Sequence, residues 1–468
     1  MQTYLYKRIT ENKGAPRLWL DGKEPERAGF SPGVRYTVSF HQDINTVTLS
    51  VMDAGKRVVT GKEKSGRRIP VIDLNSHQVL QMFEGFECVR VIFRKQRIHI
   101  VPAVAEIKRR ERLAKLAEKL KTNQPISIGS LSHGGGILSH AIHQGLSEAG
   151  MASTLVFAND IREELLQHAS AVNDAWNSET VMLAAPMQEL AMDRWALEHL
   201  PYADVLEAGL ACSGASVAGR AKRGTECAEA HPEVGHLIVS FIQLIQAANP
   251  SVIILENVKP YASTASIWIL RNSLRDMGYD VHETILEAAQ FNELEHRDRM
   301  CLVAVTRGMH FDFDKLAKPE LKQRKLGEVL DQVAPDDPSW SSFDYLKRHQ
   351  ERHAAKGNGF QMQVFTPESE HIGTITKGYS KIRATDPKIA HPTNPELMRQ
   401  LTPAEHARCK GIPEKLIDGM GKTIAHETLG QSVCYAPFKA LGKLLAGVLT
   451  APIDVATKVV IPDLLSAA

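Results

Sequence analysis

Between residues 35 and 93 apolar and polar side chains alternate in short runs, at 36–40, 46–51 and 89–93, separated by turns rich in Gly, Asp and Lys. Alternation with a period of two marks half-buried strands. Residues 1–103 therefore read as a small β-rich domain. Residues 104–124 change period, with apolar positions at helical spacing among many charges, which predicts a surface helix linking two domains. From 125 to 305 the rhythm changes again. Apolar runs at Ile126-Ser127-Ile128, Thr154-Leu155-Val156-Phe157, Val205-Leu206, Val252-Ile253-Ile254-Leu255 and Met300-Cys301-Leu302-Val303-Ala304-Val305 are spaced by helix-length segments. Strands alternating with helices predict an α/β fold: a doubly wound, mainly parallel, Rossmann-like sheet. Residues 306–372 lose this rhythm and read as an irregular inserted region, and order returns over 373–468.

Charge adds one feature to this layout. The whole chain carries a net +2, yet residues 1–121 hold 24 Lys/Arg against 13 Asp/Glu. A basic front end suits a polyanionic partner, although a charge run is also how a solvated face looks. No stretch approaches the roughly 20 apolar residues of a membrane helix, and the opening residues lack the apolar core of a signal peptide. The expectation is a cytoplasmic protein without a membrane partner. Six cysteines (Cys88, Cys212, Cys227, Cys301, Cys409, Cys434) stand without CxxC pairing, which argues against a zinc site or a disulfide framework and leaves each a candidate thiol.

In doubly wound sheets ligands sit beyond the carboxyl ends of the strands, so the loops there carry the candidate chemistry. After the first strand, Leu131 and Ser132-His133-Gly134-Gly135-Gly136 lead into a helix, a turn that lets backbone approach a ligand beside free helix amides. The second strand ends at Asp160, placed either to bond ribose hydroxyls or to cap the next helix. A third strand runs into Gly209-Leu210-Ala211-Cys212-Ser213-Gly214-Ala215-Ser216, with Arg220, Lys222 and Arg223 beyond. A thiol there is electropositive and suits nucleophilic catalysis; the alternative is a small buried hydrophobe. The apolar strand 252–255 ends in Glu256-Asn257-Val258, where burial raises a carboxyl pKa and lets it donate a proton. Before the last strand, Arg297 and Arg299 share a side and could grip a carbonyl or phosphate, or simply form a solvated turn.

In this order the segments resemble the DNA cytosine-5 methyltransferase family over most of residues 125–447. Gly135-Gly136 matches its FxGxGG loop; Gly209, Cys212, Ser216 and Gly219 match its PCQxFSxxG loop; Glu256-Asn257-Val258 is its ENV; Arg297 and Arg299 match its QxRxR. Thr376 lies in a Thr-Ile-Thr run ahead of Arg399-Gln400-Leu401-Thr402-Pro403-Ala404-Glu405, which resembles RxLTPxE, and Ala407-Arg408-Cys409-Lys410-Gly411-Ile412-Pro413 continues as ARxQGFP. Gly430-Gln431-Ser432-Val433 is similar to GNxV. Separately, residues 17–22 and 28–33 resemble the SymE-like small β-barrel toxins, a hint of nucleic-acid contact.

The resemblance implies a class I methyltransferase core over 125–305, completed by 373–468, with 306–372 as the target recognition region. It implies S-adenosylmethionine as cofactor, held by Leu131, His133, Gly134, Gly135, Gly136, Asp160, Gly430, Ser432 and Val433. It assigns Cys212, Glu256, Arg297 and Arg299 to catalysis, and Ser216, Asn257, Thr376 and Arg399 to substrate. The partner would be double-stranded DNA, taken up by a monomer without a metal, with the cytosine flipped out of the helix. The chain departs from the pattern at Ala211, Ser213 and Ala215 around the thiol, and at Leu131, His133, Glu295 and Gln431. These departures keep two alternatives open, a catalytically weak DNA-binding homologue and an RNA cytosine-5 methyltransferase, and raise the further option of a modified one-carbon group being transferred.

Overall fold

A computed structural model describes residues 3–12, 14–41, 45–80, 83, 86–211, 227–357 and 360–451. The described residues divide into two compact units, one of residues 3–117 and 276–278, the other of residues 118–275 and 279–451.

In the first unit a six-stranded antiparallel sheet runs Thr3–Arg8, Cys88–Arg94, Arg97–Pro102, Thr46–Val51, Arg35–His41, Arg57–Val58. A four-stranded sheet of Thr10–Asn12, Ala15–Asp21, Arg67–Leu74 and Thr60–Lys64 completes it. Each strand turns alternate residues inward, so Leu18, Leu20, Val47, Leu49, Val91 and Ile98 meet in one core. The helix Val104–Lys121 is more deeply set than a surface linker. Ile107, Leu113 and Leu116 are buried, as are Arg110 and Arg112. Arg110 lies 3.6 Å over the Phe86 ring, and Arg112 donates to the carbonyls of Met277 and Gly278 at 3.0 and 3.2 Å. Two charges in a helix read as solvated are thus buried against an aromatic face and free carbonyls.

The second unit is the α/β fold read from the sequence. Its sheet has seven strands: β1 (Ile126–Leu131), β2 (Ser153–Asp160), β3 (Val181–Ala184), β4 (Val205–Gly209), β5 (Val252–Val258), β6 (Tyr279–Glu287) and β7 (Asp298–Thr306). Their order is β3-β2-β1-β4-β5-β7-β6. All neighbours are parallel except β7, which runs antiparallel to β5 and β6. The central strands are buried end to end because helices cover both faces, which is why they read as unbroken apolar runs. The strand order reverses between β1 and β4, so the crevice beyond their carboxyl ends is where a ligand belongs.

The helices are α1 (Ile137–Glu148), α2 (Glu163–Val172), α3 (Leu237–Ala248), α4 (Ala265–Asp276), α5 (Asp344–Ala355), α6 (Pro403–Cys409), α7 (Lys422–Gln431) and α8 (Tyr435–Thr450), with two short helices at Met187–Met192 and Arg194–His199. The region 306–372 is not wholly irregular, since it holds α5. That helix buries only Leu346, so it has no apolar stripe to announce it. Thr402 caps α6 in a capping box with Glu405. Among the described residues no single helix is long and apolar enough to cross a membrane.

Candidate active site

The turn after β1 is built on backbone that side-chain-bearing residues seldom adopt. Ser132, Gly134 and Gly136 have φ of 53°, 54° and 73°. A Cβ on Gly136 would stand 2.5 Å from His133 Nε2 and 2.6 Å from Asn173 Nδ2, so this position, the N-cap of α1, requires glycine. Asp160 closes the turn from β2. Its Oδ2 accepts from the Gly134 amide at 2.8 Å and its Oδ1 from the Arg162 amide at 2.9 Å. The helix-cap alternative does not hold, because α2 has Arg162 as its N-cap and no side-chain capping bond. His133 lies beneath the turn. Its Nδ1 is 2.7 Å from Ser130 Oγ and its Nε2 accepts from Trp176 at 3.1 Å, and burial pushes its pKa down to about 3, so the ring stays neutral. Leu131 is fully buried. The surface the loop offers is therefore backbone, above all at Gly134, where a Cβ would meet open space.

On the neighbouring strands, Gly209 at the end of β4 pairs with Glu256 on β5. Asn257 Nδ2 donates to the Leu210 carbonyl at 3.1 Å, and its Oδ1 accepts from Val258 N at 2.8 Å. Asn257 therefore anchors the first residue of the loop that leads to Cys212. Cys212 and Ser216 themselves lie outside the described residues. Glu256 is buried and ion-paired, with Arg299 Nε 2.8 Å from its Oε1. Burial holds the carboxyl above its ordinary pKa, against the opposing charges of Arg299, Arg297 and Lys410. Glu256 is accordingly a buried carboxyl whose charge burial disfavours and an adjacent cation offsets. Cys301, Cys409 and Cys434 are buried, and burial pushes each thiol up, so these three stay protonated.

Arg297 faces inward. Its Nη1 is 3.2 Å from Glu295 Oε1 and 3.5 Å from the Ile375 carbonyl, and its Nη2 donates to Gly430 O at 2.9 Å. It thus ties the residue leading into β7 to the segments that carry Thr376 and Gly430. Those two run so close that a Cβ on Gly430 would be 2.5 Å from the Thr376 carbonyl, which is the reason for a glycine there. Thr376 Oγ1 lies 3.4 Å from Asp386, Ser432 Oγ donates to Leu429 O at 2.7 Å, and Val433 is buried. Arg399 is buried in a bidentate pair with Glu405, both bonds 2.7 Å, with its guanidinium 5.3 Å from the Trp340 ring. The structure thus brings Glu256, Arg299 and Arg297 together and leaves Arg399 engaged in its own segment.

The family described as C-5 cytosine-specific DNA methylase matches residues 129–446, more than half of the chain. The chain belongs to that family. Among curated relatives, the type II methyltransferase M1.ScrFI of Lactococcus lactis subsp. cremoris is 27% identical over 259 residues, 54% of this chain and 64% of that enzyme. M.NlaX of Neisseria lactamica is 28% identical over 263 residues, 54% of this chain and 80% of that enzyme. The DNA-cytosine methyltransferase of Escherichia coli (strain K12) is 26% identical over 331 residues, 62% of this chain and 66% of that enzyme. The matched stretch thus spans less than two thirds of the Lactococcus and E. coli relatives. Of solved structures, the S. pombe Dnmt2 methyltransferase superposes with a TM-score of 0.53 at 18% identity, covering 70% of this chain and 98% of its own. The Entamoeba histolytica methyltransferase EhMeth gives 0.52 at 16%, with coverages of 70% and 98%. At these identities both likenesses concern the fold.

Against the family pattern, two departures meet in space. Glu295 stands at the glutamine of QxRxR and Lys410 at the glutamine of ARxQGFP, and their side chains form a fully buried ion pair of 2.8 Å. Burial beside Arg297 pushes the lysine down to about 8. Glu207 is a second buried group that the sequence reading passed over. It lies within β4, two residues before Gly209, beside the Ser130 and Ser139 hydroxyls. Burial pushes its carboxyl up to about 8, and its Oε1 has no hydrogen-bond partner among the described residues. A glutamate inside the apolar run Val205-Leu206-Glu207-Ala208 was the signal available for it.

Proposed function

We propose that this family member transfers a methyl group to C5 of cytosine in double-stranded DNA, with Cys212 as nucleophile and S-adenosylmethionine as donor. The observation that carries this reading is the Glu256–Arg299 pair, a carboxyl kept protonatable by burial at the end of the strand beside the one that leads to Cys212.

The loop fits a nucleoside-bearing donor, because Gly134 leaves open space and α1 opens behind Gly136 with its first-turn amides. Gly134, Gly135 and Gly136 would hold it with Gly430, Ser432 and Val433, with Leu131, His133 and Asp160 shaping the loop from beneath and beside. When bound it supplies an electrophilic methyl group. The chain's own residues do the rest. Cys212 thiolate adds to C6 of the base while Glu256 delivers its proton to N3, so the electron pair of the C5–C6 bond becomes available at C5. Arg299 steadies Glu256 and faces the base carbonyl, and Arg297 keeps the surrounding segments in place. Once C5 carries the methyl group, N3 returns its proton to Glu256, the C5 proton leaves to water, the C5–C6 double bond re-forms and the thiolate is expelled. The base must be flipped out of the duplex to reach Cys212, and residues 306–372 would read base edges in the groove.

Incubation of the protein and of Cys212→Ser with duplex DNA and labelled S-adenosylmethionine tests this. Label is expected in 5-methylcytosine with the wild type alone. Label in RNA only, or none in any nucleoside, would overturn it.

A further inference from the structure

α5 rests on a small core of Phe343, Leu346, Ala384 and Met398, and between the helix and residues 382–385 there is a cleft of about 410 Å³, large enough for a ligand. Buried Leu346 and Ala384 form its apolar floor, and the Tyr345 and His349 rings stand on the helix side. Tyr345 Oη donates to the Ile382 carbonyl at 3.3 Å, which ties the two walls together. Arg352 from the helix and Arg383 from the facing segment, both exposed, line the same cleft. His349 Nδ1 is buried and has no hydrogen-bond partner among the described residues.

Two features of this cleft point to the backbone of a nucleic acid. An apolar floor below two guanidiniums fits a group that is apolar at one end and anionic at the other, as a deoxyribose and its phosphate are, and guanidiniums take phosphate oxygens in pairs. Arg352 bonds the Arg348 carbonyl through Nε at 3.3 Å, which orients the side chain along the helix. Asp386, the acid of the facing segment, is buried behind the Arg383 amide, which it accepts at 3.0 Å, and Lys388 donates to its backbone carbonyl at 2.9 Å. The second feature is that basic charge continues past the cleft. Tyr345, Arg348, Arg352 and Lys356 follow at i, i+3, i+7 and i+11, on one face of the helix, and all four are exposed. Asp344 and Glu351 fall about a quarter-turn to the side, and Lys347 is turned away, paired with Glu396. The stripe is about 16 Å long, several nucleotides of a strand at about 3.4 Å each. A free phosphate or a mononucleotide would engage the cleft alone.

We propose that the cleft seats one sugar–phosphate unit of the duplex substrate, with the phosphate between Arg352 and Arg383 and the deoxyribose on Leu346 and Ala384, and that the strand continues along α5 past Arg348 and Lys356. This rests on the reading that duplex DNA is the substrate, and adds the element that holds its backbone. The test measures binding of a labelled duplex to the full chain by fluorescence anisotropy over a range of salt, beside methyl transfer from labelled S-adenosylmethionine. Arg352→Gln/Arg383→Gln is expected to weaken duplex binding by about tenfold or more and to lower the slope of log K against log salt by about 0.9, the value of one phosphate. Its loss in methylation should fall on KM, with kcat at saturating duplex within about twofold of the wild type. Arg352→Lys/Arg383→Lys, which keeps the charges, should keep the slope, and Lys347→Gln, on the opposite face, should keep both affinity and slope. A wild-type affinity and slope in the glutamine variant, with the duplex still methylated, would overturn the cleft alone. So would a lowered slope in the lysine variant, or thymidine 5′-monophosphate displacing the duplex at concentrations near the duplex's own Kd. A lowered slope in the glutamine variant of a chain that transfers no methyl group to duplex DNA would support the cleft and sink the substrate reading instead.

Discussion

Glu295→Gln restores the amide that the family pattern has at this position, and it should nevertheless destabilise the protein. In the wild type Glu295 and Lys410 are both fully buried, 2.8 Å apart, and Arg297 stands 3.2 Å from the other carboxylate oxygen. Removing that charge leaves buried Lys410 and Arg297 without the carboxylate that contacts both. Breaking a buried pair from one side costs about 3–5 kcal/mol, because the remaining charge has lost its water and gained no partner. At about 2 °C per kcal/mol for a unit of this size, the melting temperature should fall by about 6–10 °C. Lys410→Gln should cost less, since Arg297 still faces Glu295. The double variant Glu295→Gln/Lys410→Gln should return to within about 1 kcal/mol of the wild type, giving a coupling energy of at least about 2–4 kcal/mol in the cycle. Urea unfolding of the four proteins at neutral pH measures all of this. A Glu295→Gln variant within about 1 kcal/mol of the wild type, or a double variant as unstable as the sum of the singles, would show that the buried pair does not hold this site together.

Three further outcomes follow from the same geometry. Glu207 has a folded pKa of about 8 against an unfolded value near 4.5, so the folded state holds the extra proton and stability should decline as pH rises from about 5 to 8; Glu207→Gln should flatten that slope in melting temperatures, and an unchanged slope would contradict the assignment. Glu256→Gln, keeping shape but losing the N3 proton donor, should lower kcat by about 10²–10⁴-fold with DNA affinity little changed, read from single-turnover methylation. Gly136→Ala forces a Cβ to 2.5 Å from His133 at φ 73°, and should cost more than about 1 kcal/mol and weaken donor binding, seen by calorimetry.

Much of the catalytic unit was legible because its signals are local. The apolar strand 252–255, the glycine turn after Leu131 and the acid at Glu256 each announce themselves within a few residues. The strands that escaped notice lack such signals: β3 has four residues, and β6, at the sheet edge, carries polar residues along its length. Long-range pairing was illegible for a different reason. Nothing near residue 295 tells that its carboxylate meets Lys410, and nothing near residue 399 tells that Arg399 is held by Glu405, since both pairs are created by the fold. His133 read as a departure at a cofactor glycine; its two bonds to Ser130 and Trp176 make it a support for the turn instead.

The covalent bond proposed from Cys212 to a cytosine can be seen by intact mass spectrometry after incubation with S-adenosylmethionine and a duplex containing 5-fluorocytosine. Fluorine replaces the hydrogen that must leave C5 as a proton, so the thiolate cannot be expelled and the adduct should accumulate, with peptide mapping placing it on Cys212. A wild-type protein that forms no adduct while methylating ordinary cytosine, or an adduct mapped to a different cysteine, would contradict it.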